Sequence, residues 1–194
     1  MNEETTTSDD KKRDTDLITL KTFESRTVMI FGEITDKLAR DVAQQLIALD
    51  ADSSNLISVF VSSPGGHVES GDVIHDVVRF INSPVRMIGT GWVGSAAAHL
   101  FLGAKTENRV CLPNTRFLIH QPSGGVGGKG TDIAIQAKEI LLVRERIAKT
   151  IAQATGKTLE EVMKDIDRDH WLSAQEAVEY GLVSRIIEHR SDVQ

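Results

Sequence analysis

Between Thr27 and Ile88 the chain alternates short apolar runs with longer segments of helical period, and that alternation leaves few folds open. Thr27-Val28-Met29-Ile30-Phe31, Ile57-Ser58-Val59-Phe60-Val61 and Val85-Arg86-Met87-Ile88 have the β-branched, apolar character of strands. After the first, Thr35 or Asp36 caps a helix whose Leu38, Val42, Leu46 and Leu49 share one face. After the second, Val68, Val73, Ile74, Val77, Phe80 and Ile81 supply a helical stripe that Asn82-Ser83-Pro84 stops. A β-α-β-α-β order needs crossover connections, so an α/β fold with a parallel sheet is expected.

The chain then leaves the Val85 run through Gly91-Trp92-Val93-Gly94-Ser95 and enters a short helix, Ala96 to Leu102. A further strand, Thr115-Arg116-Phe117-Leu118-Ile119, ends on His120-Gln121-Pro122. Ser123 to Gly130 contains five glycines in eight residues, too flexible a strap for a helix. Thr131 to about Thr155 is a long amphipathic pattern carrying Ile133, Ile140, Val143, Ile147 and Ile151. Strap and helix read as an excursion whose apolar stripe is covered either by a partner chain or by the domain's own sheet. Thr158-Leu159-Glu160-Glu161 and Ser173-Ala174-Gln175-Glu176 fit capping boxes, and Leu182 to Ile187 reads as a closing strand.

With 194 residues, one domain spanning 17–190 is expected between polar tails at 1–16 and 191–194. The first tail is too poor in apolar side chains to offset its ordering entropy and is expected to be disordered. Leu17-Ile18-Thr19-Leu20 is expected as a short edge strand or an arm that orders against a partner. A formal charge of −6 argues against nucleic acid or an anionic membrane as the main partner. No apolar run approaches the roughly 20 residues of a membrane span. Cys111 has no second cysteine to pair with, and its apolar neighbours suggest a core residue in a cytoplasmic protein.

Three polar residues stand at element ends. Ser95 at a strand-to-helix junction has the place of an exposed nucleophile beside free backbone N–H groups, or of a residue that caps the next helix. His120 ends an apolar strand, where α/β sheets gather their sites, and Asp169 precedes the last helix. A hydroxyl nucleophile needs an imidazole base, and that base needs a carboxylate to fix its tautomer. His99, one helical turn after Ser95, is a rival base, and Asp167 a rival carboxylate that an ion pair with Arg168 also explains. His67 and His75 read as helix-surface residues, and no spacing of His, Cys, Asp or Glu resembles a metal site. Gly65-Gly66 is either a tight turn or a source of oxyanion-stabilising N–H groups, together with the amide of Ala96.

Several segments in series resemble the proteolytic subunit of the Clp protease. They are Ser63-Pro64-Gly65-Gly66, Gly91-x-x-x-Ser95, Cys111-Leu112-Pro113-Asn114, Ile119-His120-Gln121-Pro122, Thr131-Asp132-Ile133, Arg168-Asp169 and Leu172-Ser173-Ala174. The resemblance runs from about Arg26 to Arg190. It implies a crotonase-like spiral of β-α-β units with a handle at 121–155, made of a Gly-rich strand and a long helix. It implies Ser95 as nucleophile, His120 as base, Asp169 as orienting carboxylate, and the Gly66 and Ala96 N–H groups as oxyanion hole. It further implies that handles interlock two seven-membered rings, with Asp167 and Arg168 in inter-ring ion pairs. A ring-shaped AAA+ ATPase would feed in unfolded polypeptides; the subunit itself would need no cofactor or metal. Relatives usually read Gly-Gln-Ala-Ala-Ser-Met-Gly around the nucleophile, where this chain has Gly-Trp-Val-Gly-Ser-Ala-Ala, and they carry an apolar N-terminal loop that this chain lacks. The expected function is therefore a self-compartmentalised serine endopeptidase. The alternatives are a weakly active structural subunit that joins an active paralogue, or acyl-CoA chemistry on the same fold.

Overall fold

The computed structural model describes residues 8–125 and 127–193, with side chains from residue 16 onward. Strands β1 (Thr27–Phe31), β2 (Ile57–Ser63) and β3 (Val85–Gly94) alternate with helices α2 (Asp36–Asp52) and α3 (Val68–Phe80), following an N-terminal helix α1 (Ser8–Glu24). Helix α4 (Ala96–Phe101), strands β4 (Arg109–Cys111) and β5 (Arg116–Ile119), and the long helix α5 (Gly130–Thr155) come next. Helix α6 (Leu159–Asp165), strand β6 (His170–Ser173), helix α7 (Ala174–Tyr180) and strand β7 (Arg185–Ile186) complete the series.

The sheet runs β1-β2-β3-β4-β7, all parallel, as the β-α-β order requires. Strand β3 changes neighbours part way along. Its first half pairs with β4 (Met87↔Arg109) and its second half with β5 (Trp92↔Arg116). Between them the β2–β3 register slips, from Val61↔Gly89 to Ser63↔Val93, around Gly91 at φ 61°. Strand β6 then adds to β5 in antiparallel sense. The helices cover one face of the sheet with the main core, which includes Ile30, Val59, Ile74, Met87, Leu100 and Phe117. Ile88, Val110 and Ile187 form a smaller group, as expected when adjacent residues such as Met87 and Ile88 face opposite ways.

Four expectations are corrected. Leu17-Ile18-Thr19-Leu20 belongs to α1 and not to an edge strand; Leu17, Leu20 and Phe23 recur at helical spacing, and Lys21 pairs with Glu24 at 2.7 Å. Of the tail expected to be disordered, residues 8–16 lie in this helix, while residues 1–7 fall outside the described residues. Strands β4 and β6 were not expected: each is too short to show a period and exists through its pairing partner. The Gly-rich strand of the handle is absent among the described residues of 121–129, because a strand needs a facing edge and none stands there in the single chain. The strap's Gly124, Gly125 and Gly127 have open space around them.

Both capping boxes form, at Thr158 with Glu161 and at Ser173 with Glu176. Helix α5 is anchored along its C-terminal half, where Ile147, Ala148 and Ile151 are buried. Buried Arg109 donates to Ala154 O at 2.7 Å there, and burial lowers its guanidinium to about 10. On the other side of α4, Phe101 meets Phe117 edge to face with centroids 5.6 Å apart. Phe117→Ala should cost about 3–5 kcal/mol in urea unfolding, because it empties the contact between α4 and β5.

Candidate active site

Ser95 has φ 54° and ψ −122°, a region that side-chain-bearing residues rarely occupy. Only Arg26 shares a positive φ among the described non-glycine residues. The turn is held from both sides: Ser95 N donates to Leu118 O at 2.8 Å, and His99 N donates to Ser95 O at 3.1 Å. The Ser95 side chain makes no capping hydrogen bond to α4. Its hydroxyl is therefore not spent on capping the helix.

The Gly65-Gly66 loop lies against this turn. A Cβ on Gly65 would stand 2.6 Å from Ser95 Cβ and 3.0 Å from Ala96 N, and φ there is 101°. Only glycine fits so close an approach. Gly66, at φ 148°, is likewise excluded from carrying a side chain by the backbone of Ile34. Ala96 is the first residue of α4 and has no intrahelical acceptor for its N–H. Among the described residues no loop hydrogen bond uses the Gly66 N–H.

Sheet register brings the other two residues to the same end. Gly94 pairs with Leu118 on β5, so Ser95 and the end of β5 emerge together. Ile119 pairs with His170 on β6, so the next residues, His120 and Asp169, face each other. His120 Nδ1 lies 3.4 Å from Asp169 Oδ1, with the His120 side chain 20% exposed and that of Asp169 64% exposed. Among the described residues no hydrogen bond joins Ser95 to His120.

The rival residues are placed elsewhere. His99 is buried, with Nε2 2.9 Å from Asp72 Oδ1 on α3, and its ring stacks on His75 at 4.9 Å. Arg146 on α5 meets the second Asp72 oxygen at 2.6 Å. Burial raises the Asp72 carboxyl, but His99 and Arg146 more than offset it and hold it below its usual value. His67 sits at the start of α3 beside Asp36 and Ser70. Asp167 pairs with Arg144 of α5 at 3.1 Å and accepts from Gln121 Nε2 through its backbone oxygen at 2.7 Å. Arg168 is 4.0 Å from Asp167 and points into solvent. Burial pushes the Cys111 thiol up to about 11, which suits an inert core residue. Among the described residues no three His, Cys, Asp or Glu side chains are grouped to hold a metal ion. The contacts of Arg144 and Gln121 and the grouping of Asp72, His99 and Arg146 are not legible in the sequence, since the partners lie far apart along the chain and follow no local spacing.

Comparison with known proteins agrees with this architecture. The Clp protease family model matches residues 10–190. The ATP-dependent Clp protease proteolytic subunit 3 of Rhizobium etli is 57% identical over 171 residues, 88% of each chain. Subunit 2 of Pseudomonas aeruginosa is 52% identical over 162 residues, 84% of this chain and 81% of that one. The solved structure of ClpP1 from Listeria monocytogenes matches with a TM-score of 0.84 and 49% identity, covering 91% of this chain and 99% of that chain. The spiral of β-α-β units implied by the sequence resemblance is thus the fold observed, and the chain belongs to the Clp protease family.

Proposed function

We propose that the chain is a serine endopeptidase subunit of a self-compartmentalised Clp-type protease, with Ser95, His120 and Asp169 as its catalytic set. The observation that carries this is the register of β3, β5 and β6, which delivers an uncapped serine, an imidazole and a carboxylate to one end of the sheet. With Asp169 at Nδ1, the His120 ring keeps Nε2 for the Ser95 hydroxyl. Ser95 Oγ attacks the peptide carbonyl carbon while His120 takes its proton. The Gly66 and Ala96 N–H groups receive the oxyanion. The C–N bond then breaks as His120 returns the proton to the leaving amine, and water releases the acyl group by the same route.

Assembly is supported by apolar surface left uncovered in the single chain. On α5, Ile133, Ile135, Leu141 and Leu142 are exposed, and Leu141 is 62% exposed. Met29 and Phe31 on edge strand β1 form a second exposed set. Two separate apolar surfaces suit copies that meet side by side in a ring and again handle to handle between two seven-membered rings. Asp167 and Arg168 stand at the handle's base for contact across the rings. The relatives' names point to an ATP-driven partner, here an AAA+ unfoldase delivering polypeptide. Among the described residues no helix is long and apolar enough to cross a membrane, and we place the protein in the cytoplasm.

A weakly active, structural subunit is the second reading. It is favoured by the open Ser95–His120 pair and the exposed Asp169, although such contacts often tighten only on binding substrate. A fluorophosphonate probe separates the two: the wild-type protein should label and Ser95→Ala should not. Wild-type rings that never label would support the structural subunit. Gly65→Ala should slow labelling about 100-fold or more, because the added Cβ displaces the turn that carries the oxyanion amides. Leu141→Asp should split double rings into single rings in sedimentation; unchanged assembly would defeat the handle's role.

A further inference from the structure

The face of the sheet that carries His120 and Asp169 continues into a second group of side chains. Alternation along β5 puts Arg116, Leu118 and His120 on one face, with Phe117 and Ile119 in the core on the other. Along β6 the same rule puts Asp169, Trp171 and Ser173 on that face, with Leu172 in the core. On β3, Val93 is in the core and Trp92 faces outward. The register lines these residues up in rows. Gly94, Leu118 and Trp171 form the row next to the catalytic end, and Trp92, Arg116 and Ser173 form the row beyond it.

Trp92 and Trp171 lie parallel across β5, with centroids 6.3 Å apart and planes within 3°. The Arg116 guanidinium carbon stands 4.4 Å above the Trp171 ring. Trp92 is 40% exposed and Trp171 38%. Among the described residues Arg116 pairs with no carboxylate. Two half-exposed indoles and an uncompensated cation are thus held rigidly on strands, starting one row from the His120–Asp169 contact. Rows along a strand repeat every two residues, about 6.6–6.8 Å, which is also the repeat of alternate side chains in an extended peptide.

We propose that Trp92, Trp171 and Arg116 form a substrate subsite that takes an aromatic side chain of the bound polypeptide, two to four residues from the scissile bond. Arg116 makes an acidic neighbour of that residue favourable and a basic one unfavourable. The inference rests on the peptidase reading above and adds to it a sequence preference.

The chain contains two tryptophans, and both are in this patch, so tryptophan emission, excited selectively over that of Tyr180, reports on the subsite alone. The assembled Ser95→Ala protein is titrated with an acetylated octapeptide carrying Phe and Glu, and with a matched peptide carrying Ala and Lys. A saturable emission change is expected with the first peptide at concentrations where the second gives none. In the Ser95 protein, Trp92→Ala and Arg116→Ala should each raise KM for the Phe/Glu peptide about three- to tenfold. Their kcat, and both constants for the Ala/Lys peptide, should change less than twofold. Equal KM for both peptides in wild type and variants would overturn the inference while leaving the peptidase intact. Emission that follows protein concentration and ignores peptide would also overturn it, by showing that another copy covers the patch. The peptidase reading is scored separately: wild-type protein that fails to label with fluorophosphonate defeats that reading, and the assignment to a cleavage subsite falls with it.

Discussion

Everything at the candidate active site depends on how β5 is held. It is a four-residue strand, too short to be stable alone, and it is fixed by parallel pairing with the second half of β3 and antiparallel pairing with β6. Those two ladders set where His120 leaves the sheet relative to Ser95 and Asp169. The slip around Gly91 makes this possible, because it frees the end of β3 from the line of β4 and offers it to β5. The Phe101–Phe117 contact then locks β5 to the helix that Ser95 begins.

The positive φ of Ser95 is a local cost that this frame sustains. It persists because hydrogen bonds on both sides and the close Gly65 backbone over-determine the turn. Helix α4 is in turn tied to α3 and α5 through His99, Asp72 and Arg146. The C-terminal half of the projecting helix and the last turn of the serine helix therefore share one half-buried carboxylate. A second tie runs from Arg144 through Asp167 to Gln121, just after His120. Movement of α5 is mechanically connected to both halves of the candidate site. The long helix itself leaves Ile133, Ile135, Leu141 and Leu142 uncovered.

The α/β class, helices α2 and α3, both capping boxes and the projecting α5 could be read from the sequence, because each rests on local period or on residues three positions apart. Helix α1 is not legible in the sequence, since a four-residue apolar run in polar surroundings carries too little period to separate strand from helix. Strands β4 and β6 are defined by pairing across many residues, and among the described residues the strap at 121–129 pairs with no strand. The cluster at Asp72 has no sequence signature for the same reason: its three members are neighbours only after α3, α4 and α5 have packed.

Ser95, Gly65 and Gly66, His120 and Asp169 stand at element ends, and residue type and element order alone made them candidates. What the sequence by itself determined is therefore the alternation of elements and the identity of the chemically capable residues at their ends. Tertiary structure decided that Ser95 spends no hydrogen bond on its helix and that His120 faces Asp169 and not Asp167. It also decided that His99 is buried against a different carboxylate, and that two tryptophans lie on the face that carries His120 and Asp169. The division has a physical reason: periodicity and capping act over a few residues, whereas register and packing relate residues brought together only when the sheet closes.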